Sequence, residues 1–74
     1  MTTNVAIIGL GIMGSRMLNH MRLHEEFNPD YLWDPNQIAC ENATKQDGKS
    51  QIMKSANDAI ENADLVYLAS PPTV

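Results

Sequence analysis

Val5-Ala6-Ile7-Ile8-Gly9-Leu10-Gly11-Ile12-Met13-Gly14 is the stretch that decides the fold of this chain. Val5 to Ile8 are apolar without alternation, the pattern of a strand buried on both faces of a parallel sheet. Gly9, Gly11 and Gly14 follow with G-x-G-x-x-G spacing. Three glycines alone say little, but here they stand between a strand pattern and a helix pattern. Each has a physical task in a phosphate loop. Gly9 turns the chain sharply off the strand, and Gly11, lacking a Cβ, lets a pyrophosphate approach the backbone. Gly14 allows the helix to pack closely on the strand. The free N–H groups and positive dipole end of that helix then face the phosphates. The plain alternative is a glycine-rich strand-to-helix turn that holds no ligand.

The helix pattern is carried by Met13, Met17 and Met21 at four-residue spacing, with Leu18 beside them. Core packing is the commoner use of such a stripe. Asn28-Pro29 predicts a helix end near Phe27, because Pro29 disfavours the α conformation at the residue before it. His20 and His24 are four apart and share a helix face, yet no third ligand is placed to complete a metal site, so they read as solvated.

The second strand is expected at Tyr31-Leu32-Trp33, ending in Asp34. Asp34 lies twenty residues past Gly14, where a dinucleotide fold places its ribose acceptor. A carboxylate there accepts both hydroxyls of an adenosine ribose and repels a 2′-phosphate, which favours NAD over NADP. Asp34-Pro35 also reads as an N-cap followed by proline at the first helical position, and the two roles are compatible. The second helix is expected from Pro35 to Thr44, with Ile38, Ala39 and Ala43 as a sparse apolar face. Cys40 on it has no histidine or cationic partner to activate it and reads as a small buried or half-buried residue, not a nucleophile. Residues 45–50, containing Asp47-Gly48, read as a flexible turn. Gln51, Ile52 and Met53 form a short third strand. Ser55 and Asp58 resemble a capping box opening a third helix with Ala59, Ile60 and Ala63, and Leu65 to Ala69 is the fourth strand.

Strands and helices alternating at this spacing predict an α/β, doubly wound parallel sheet of the Rossmann type. Its course is β-α-β-α-β-α-β and its strand order 3-2-1-4. Ligands bind such a sheet beyond the carboxyl ends of strands one and four. Ser70, Pro71 and Pro72 fall there, and the two prolines would make a rigid wall beside a cofactor.

At 74 residues and a formal net charge of −4, the chain is one small domain with no basic surface for nucleic acid or anionic membrane. Its single cysteine forbids an internal disulfide and fits a reducing compartment, so the expected location is cytoplasmic. The longest apolar stretch is broken by glycines, which excludes a membrane span there.

Gly9-Leu-Gly-Ile-Met-Gly14 together with Ala69-Ser-Pro-Pro-Thr73 resembles the amino-terminal domain of the glucose–fructose oxidoreductase, inositol dehydrogenase and rhizopine-catabolism family (Gfo/Idh/MocA). The β-hydroxyacid dehydrogenases, which also favour G-L-G-I-M-G, stand second because they usually lack the Ser-Pro-Pro step. The resemblance implies an NAD(P)-dependent oxidoreductase acting by hydride transfer on a sugar, polyol or related hydroxyl. Cofactor-binding residues would be Gly9, Leu10, Gly11, Ile12, Met13 and Gly14 around the pyrophosphate and Asp34 and Pro35 at the adenosine ribose. Ser70, Pro71 and Pro72 would pass near the nicotinamide. Family members hold a small-molecule substrate in a second domain that carries the catalytic residues, so residues 1–74 read as the first part of a dinucleotide-binding domain. No catalytic or metal residue is assigned, and a homo-oligomer is allowed. A non-catalytic nucleotide-binding or redox-sensing module is the alternative from another class.

Overall fold

The computed structural model describes residues 3–69. Strand β1 spans Thr3–Ile8, helix α1 Ile12–Leu23, β2 Phe27–Trp33, α2 Gln37–Gln46, β3 Gln51–Ile52, α3 Ala56–Asn62 and β4 Leu65–Leu68. The strands form one parallel sheet in the order β3-β2-β1-β4, the doubly wound arrangement expected from the sequence.

β1 is buried on both sides because successive side chains of a strand point to opposite faces. Val5 and Ile7 join Leu10, Leu18, Leu32, Cys40 and Ala43 in one core, flanked by Met17 and Met21. Ala6 and Ile8 join Ala59 in the other, with Tyr31, Trp33 and Val66 against them. Helices α1 and α2 therefore cover one face and α3 the other. Three apolar residues assigned to these faces do not reach them. Met13 is 61% exposed, Ile38 66% and Ile60 42%. Each lies in the first or last turn of its helix.

Helix α1 ends at Leu23, four residues before the expected stop. The His24 N–H donates to the Met21 carbonyl, closing the last turn, and residues 25–26 form a turn. Phe27 instead opens β2, opposite Thr3, where the Thr3 N–H donates to the Glu26 carbonyl at 2.7 Å. Pairing with β1 and burial of Phe27 outweigh local helix propensity. Strand two is correspondingly longer than the expected residues 31–33, and it contains Pro29. The register explains how. Asn4 pairs with Asn28 and Ala6 with Tyr31, so Pro29 and Asp30 together face Val5 in a bulge. A bulge is one of the few places in a sheet where a residue without an N–H fits. β3 is two residues long, stopping before Met53, whose N–H nevertheless donates to the Leu32 carbonyl. β4 stops at Leu68, and the Ala69 N–H extends the ladder to the Ile8 carbonyl.

Residues 45–50, expected to be a flexible turn, are tied to the body of the domain. Helix α2 continues to Gln46, and Asp47 is buried. Its Oδ2 accepts from Arg22 Nε at 3.0 Å and Nη2 at 2.8 Å, and from the Ser50 hydroxyl. Arg22 Nη2 also donates to the Pro29 carbonyl at 3.2 Å, and Ser50 Oγ, its one proton shared with Asp47, lies 2.8 Å from the same oxygen. The bulge at Pro29, the end of α1 and the α2–β3 connection are thus held by one polar cluster. Burial by itself would raise the Asp47 pKa. The hydrogen bonds from Ser50, Arg22 and the Lys49 N–H, with the Arg22 charge, outweigh it and hold the carboxyl below its usual value.

Candidate dinucleotide site

The carboxyl ends of β1 and β2 carry the site. Gly9 has φ 99°, a left-handed conformation open to glycine and strained for other residues, and its N–H donates to the Trp33 carbonyl at 2.8 Å. That bond folds the loop across the end of β2. Gly14 packs so closely that a Cβ there would stand 1.9 Å from the Gly9 carbonyl oxygen. At Gly11, by contrast, a Cβ would meet nothing within 4 Å. The three glycines therefore differ: two shape the loop, and Gly11 borders open space at the mouth of α1.

Leu10 is the anchored residue of the loop. Its side chain is 3% exposed and belongs to the core under α1. Its N–H donates to Asp34 Oδ2 at 2.6 Å, and its carbonyl accepts from the Ser15 hydroxyl at 3.2 Å. The Gln46 amide in turn donates to the Ser15 carbonyl at 2.8 Å, bracing α1 against α2. With Leu10 turned inward, Gly11, Ile12 and Met13 are the exposed residues at the start of α1. The N–H groups of these three and of Gly14 find no partner among the described residues. A helix start with free donors and a glycine mouth is suited to an anion.

Asp34 stands at the edge of this mouth. Oδ2 takes the Leu10 N–H, and Oδ1 takes the Asn36 N–H at 2.7 Å. The N-cap of α2 is Asn36, whose side chain accepts from the Ile38 and Ala39 N–H groups at 2.9 and 3.4 Å. Helix α2 thus starts at Gln37, two residues after the expected Pro35, and Asp34 is not its cap. Pro35 is exposed between them. Each carboxylate oxygen of Asp34 accepts one backbone N–H and keeps a lone pair for another donor, which fits two adjacent ribose hydroxyls. Cys40 is buried below, its Sγ 3.4 Å from the Asp34 carbonyl.

At β4, Ala69 comes within 3.5 Å of where a Gly14 Cβ would be. The end of β4 therefore lies beside the glycine loop. Ser70, Pro71 and Pro72 fall outside the described residues. His20 and His24 are exposed, and the His24 ring stands edge-on to Phe27 at 6.0 Å. Among the described residues, no group of three His, Cys, Asp or Glu is close enough to hold a metal. Sequence reading missed Ser15, Asn36 and Gln46. Asn36 was legible as a capping residue two positions past the strand, but nothing in the sequence points to Ser15 or Gln46, because their partners come from other elements.

The family model of the NAD-binding domain of 6-phosphogluconate dehydrogenase matches residues 4–71. The chain belongs to this family. Its cofactor is NAD. The structure is also similar to a 3-hydroxyisobutyrate dehydrogenase of Mycobacterium tuberculosis, solved with L-serine, at 28% identity and TM-score 0.79. That match covers 96% of this chain and 23% of the other. GenD2 from gentamicin A biosynthesis, solved in complex with NAD, superposes with TM-score 0.83 at 17% identity, a likeness of fold. It covers 95% of this chain and 20% of GenD2. The chain thus spans about a fifth of the length of these relatives. A search of curated proteins gives no match.

These findings correct the assignment to the Gfo/Idh/MocA family. The glycine spacing and the acidic residue after β2 report the geometry of a dinucleotide site, which several dehydrogenase families share, so they could not separate the two. The remaining discriminator, Ser70-Pro71-Pro72, did not carry the distinction assigned to it. Of the two families that the sequence resembles, the β-hydroxyacid dehydrogenases are the better fit. No helix among the described residues is long and apolar enough to cross a membrane.

Proposed function

We propose that residues 1–74 form the amino-terminal part of the NAD-binding domain of a β-hydroxyacid dehydrogenase-type oxidoreductase. The observation that carries this reading is the mouth of α1. N–H groups on Gly11 to Gly14, without partners among the described residues, stand at the same end of the sheet as an Asp34 carboxylate with a spare lone pair on each oxygen. The first would hold the pyrophosphate and the second the adenosine ribose. Bound NAD would supply a nicotinamide that accepts a hydride from the substrate carbon. Gly9, Leu10, Gly14 and Ser15 shape the cradle, while Ile12, Met13 and Pro35 border it. Ser70, Pro71 and Pro72 are proposed to border the nicotinamide half. The substrate, a small hydroxy acid by analogy with the 28%-identical relative, would be held by a further domain, and a homo-oligomer is compatible with this arrangement. The buried, unpaired thiol of Cys40 supports a reducing, cytoplasmic setting.

Titrating the protein with NAD and with NADP tests the reading. A 2′-phosphate would displace a hydroxyl donor from Asp34 and set like charges together, and Pro35 and Asn36 offer no cation. Losing one charge-assisted hydrogen bond corresponds to about a tenfold or greater preference for NAD. Equal affinities would remove Asp34 from the ribose site, and no binding of either would overturn the proposal. In the whole enzyme, reduction of NAD by polyols but not by short hydroxy acids would overturn the substrate class.

A further inference from the structure

We infer that Asp34 is also the positioning residue of the phosphate cradle, holding the glycine loop in its binding shape through the Leu10 N–H. This rests on the proposed pyrophosphate site and assigns it a support that its glycines do not provide.

The bond from the Leu10 N–H to Asp34 Oδ2 is short, at 2.6 Å, and spans 24 residues, from the end of β2 to the middle of the loop. The Leu10 N–H is part-buried, and no other acceptor is placed for it among the described residues. The same peptide is held at its carbonyl by Ser15, and its side chain is in the core. Leu10 is thereby gripped at three points, and Asp34 supplies the hydrogen bond that ties its backbone to the end of β2. Gly11 follows directly, and its outward course carries Gly11, Ile12 and Met13, with their N–H groups unpartnered among the described residues, to the surface. Without the carboxylate, a part-buried N–H loses its partner, and the loop can recover one only by turning that peptide toward water. The turn would redirect Gly11 and the donors after it. The bond from the Asn36 N–H to Oδ1 fixes the rotation of the carboxylate, so Oδ2 is already aimed at Leu10 before any ligand arrives.

A carboxylate that met only the ribose would make a different prediction for a ligand without ribose. It would repel inorganic pyrophosphate by its charge, and any neutral replacement would tighten binding. Two neutral replacements separate the charge from the grip. Asp34→Asn keeps one oxygen, which can accept the Leu10 N–H by giving up the Asn36 N–H, whereas Asp34→Ala keeps none. Binding of inorganic pyrophosphate is followed by the amide shifts of Gly11 to Gly14 in wild type and both variants. Asp34→Ala is expected to bind about fivefold or more weakly than Asp34→Asn. Exchange of the Leu10 amide, relative to that of Ala69, should be about tenfold faster in Asp34→Ala and near wild type in Asp34→Asn. This second readout needs no ligand. Should the alanine variant fail to fold, Asp34→Ser, whose side chain is shorter, replaces it in both measurements. Equal pyrophosphate affinities and equal Leu10 exchange in the two neutral variants would overturn the inference while leaving the cradle intact. Absence of saturable pyrophosphate binding by the wild type would overturn the cradle itself, and this inference with it.

Discussion

Gly14 and Gly11 sit three residues apart in one motif, yet the structure assigns them opposite consequences on substitution. A methyl group at Gly14 would stand 1.9 Å from the Gly9 carbonyl oxygen and 2.9 Å from its carbon. Ordinary contact begins at 3.4 Å, so helix and loop would have to separate by 1.5 Å along that direction. The obstacle is backbone and cannot swing aside as a side chain would. Overpacking costs typically about 1–3 kcal/mol, and a backbone clash belongs at the upper end. Alanine returns about 1 kcal/mol through its better helix propensity. The expected net loss for Gly14→Ala is about 2 kcal/mol, or about 8–16 °C in melting temperature for a domain of this size.

Gly11→Ala meets no atom within 4 Å, and at φ −73° and ψ −157° its backbone suits any residue. Its stability should fall by no more than about 1 kcal/mol, the difference between glycine and alanine at an N-cap. Its methyl instead occupies the mouth of α1, and NAD affinity should fall by about tenfold or more, as for the loss of one good contact. Urea unfolding followed by far-ultraviolet circular dichroism gives the stabilities, and calorimetric titration gives the affinities. A Gly14→Ala protein within 0.5 kcal/mol of wild type, a difference of about twofold, would refute the close-packing argument. So would a Gly11→Ala protein that loses more stability than Gly14→Ala.

Three further outcomes are expected. Asp47 has its pKa held below the ordinary 3.8, so its contribution to stability is complete above that value and is lost as pH falls through the lower folded value; Asp47→Asn should lower stability at neutral pH by about 2 kcal/mol, a discounted buried-pair cost, and an unchanged urea midpoint at pH 7 would refute it. The Ser55 hydroxyl accepts from the Asp58 N–H at 3.1 Å, so Ser55→Ala should cost about 1 kcal/mol and Ser55→Asp little; equal losses in both would show that the cap is not what matters. NAD at a hundred times its dissociation constant should stabilise the protein by about 2.7 kcal/mol, and a melting temperature that NAD leaves in place would contradict binding to the native fold.

The sheet order was legible from the alternation of strands and helices, and β1 with the glycine loop was legible from local pattern. Four consecutive apolar residues demand two covered faces, and glycine at φ 99° demands the turn that follows. The start of α3 was equally legible, since Ser55 caps a donor three residues on. What escaped reading depends on contacts between distant segments. The early end of α1 follows from Phe27 pairing with Thr3, and Pro29 is admitted to β2 only because Asp30 shares its place opposite Val5. The turn containing Asp47 looked loose because Asp-Gly is a turn signal, and its partner Arg22 is 25 residues away. At the site, the glycines and Asp34 could be named from spacing, but the pairing of Asp34 with Leu10 could not. Family membership was the hardest to read, since motif spacing encodes phosphate geometry and leaves the substrate unspecified.

The two ends of the sheet treat their polar groups in opposite ways. At the amino end, Arg22, Asp47 and Ser50 close around the Pro29 carbonyl, and the Asp64 N–H donates to the Asn4 carbonyl at 2.8 Å. At the carboxyl end, the donors of Gly11 to Gly14 have no partner among the described residues, although the loop beneath them is gripped at Gly9, Leu10 and Ser15. A rigid loop that leaves donors without partners among the described residues is costly unless something else meets them. An anion meets such donors well because the helix dipole adds to each bond. The rigidity and the openness therefore belong together. Asp34 is where they join: one carboxylate fixes the loop through Leu10 and still has, on each oxygen, a lone pair directed at whatever occupies the mouth of α1.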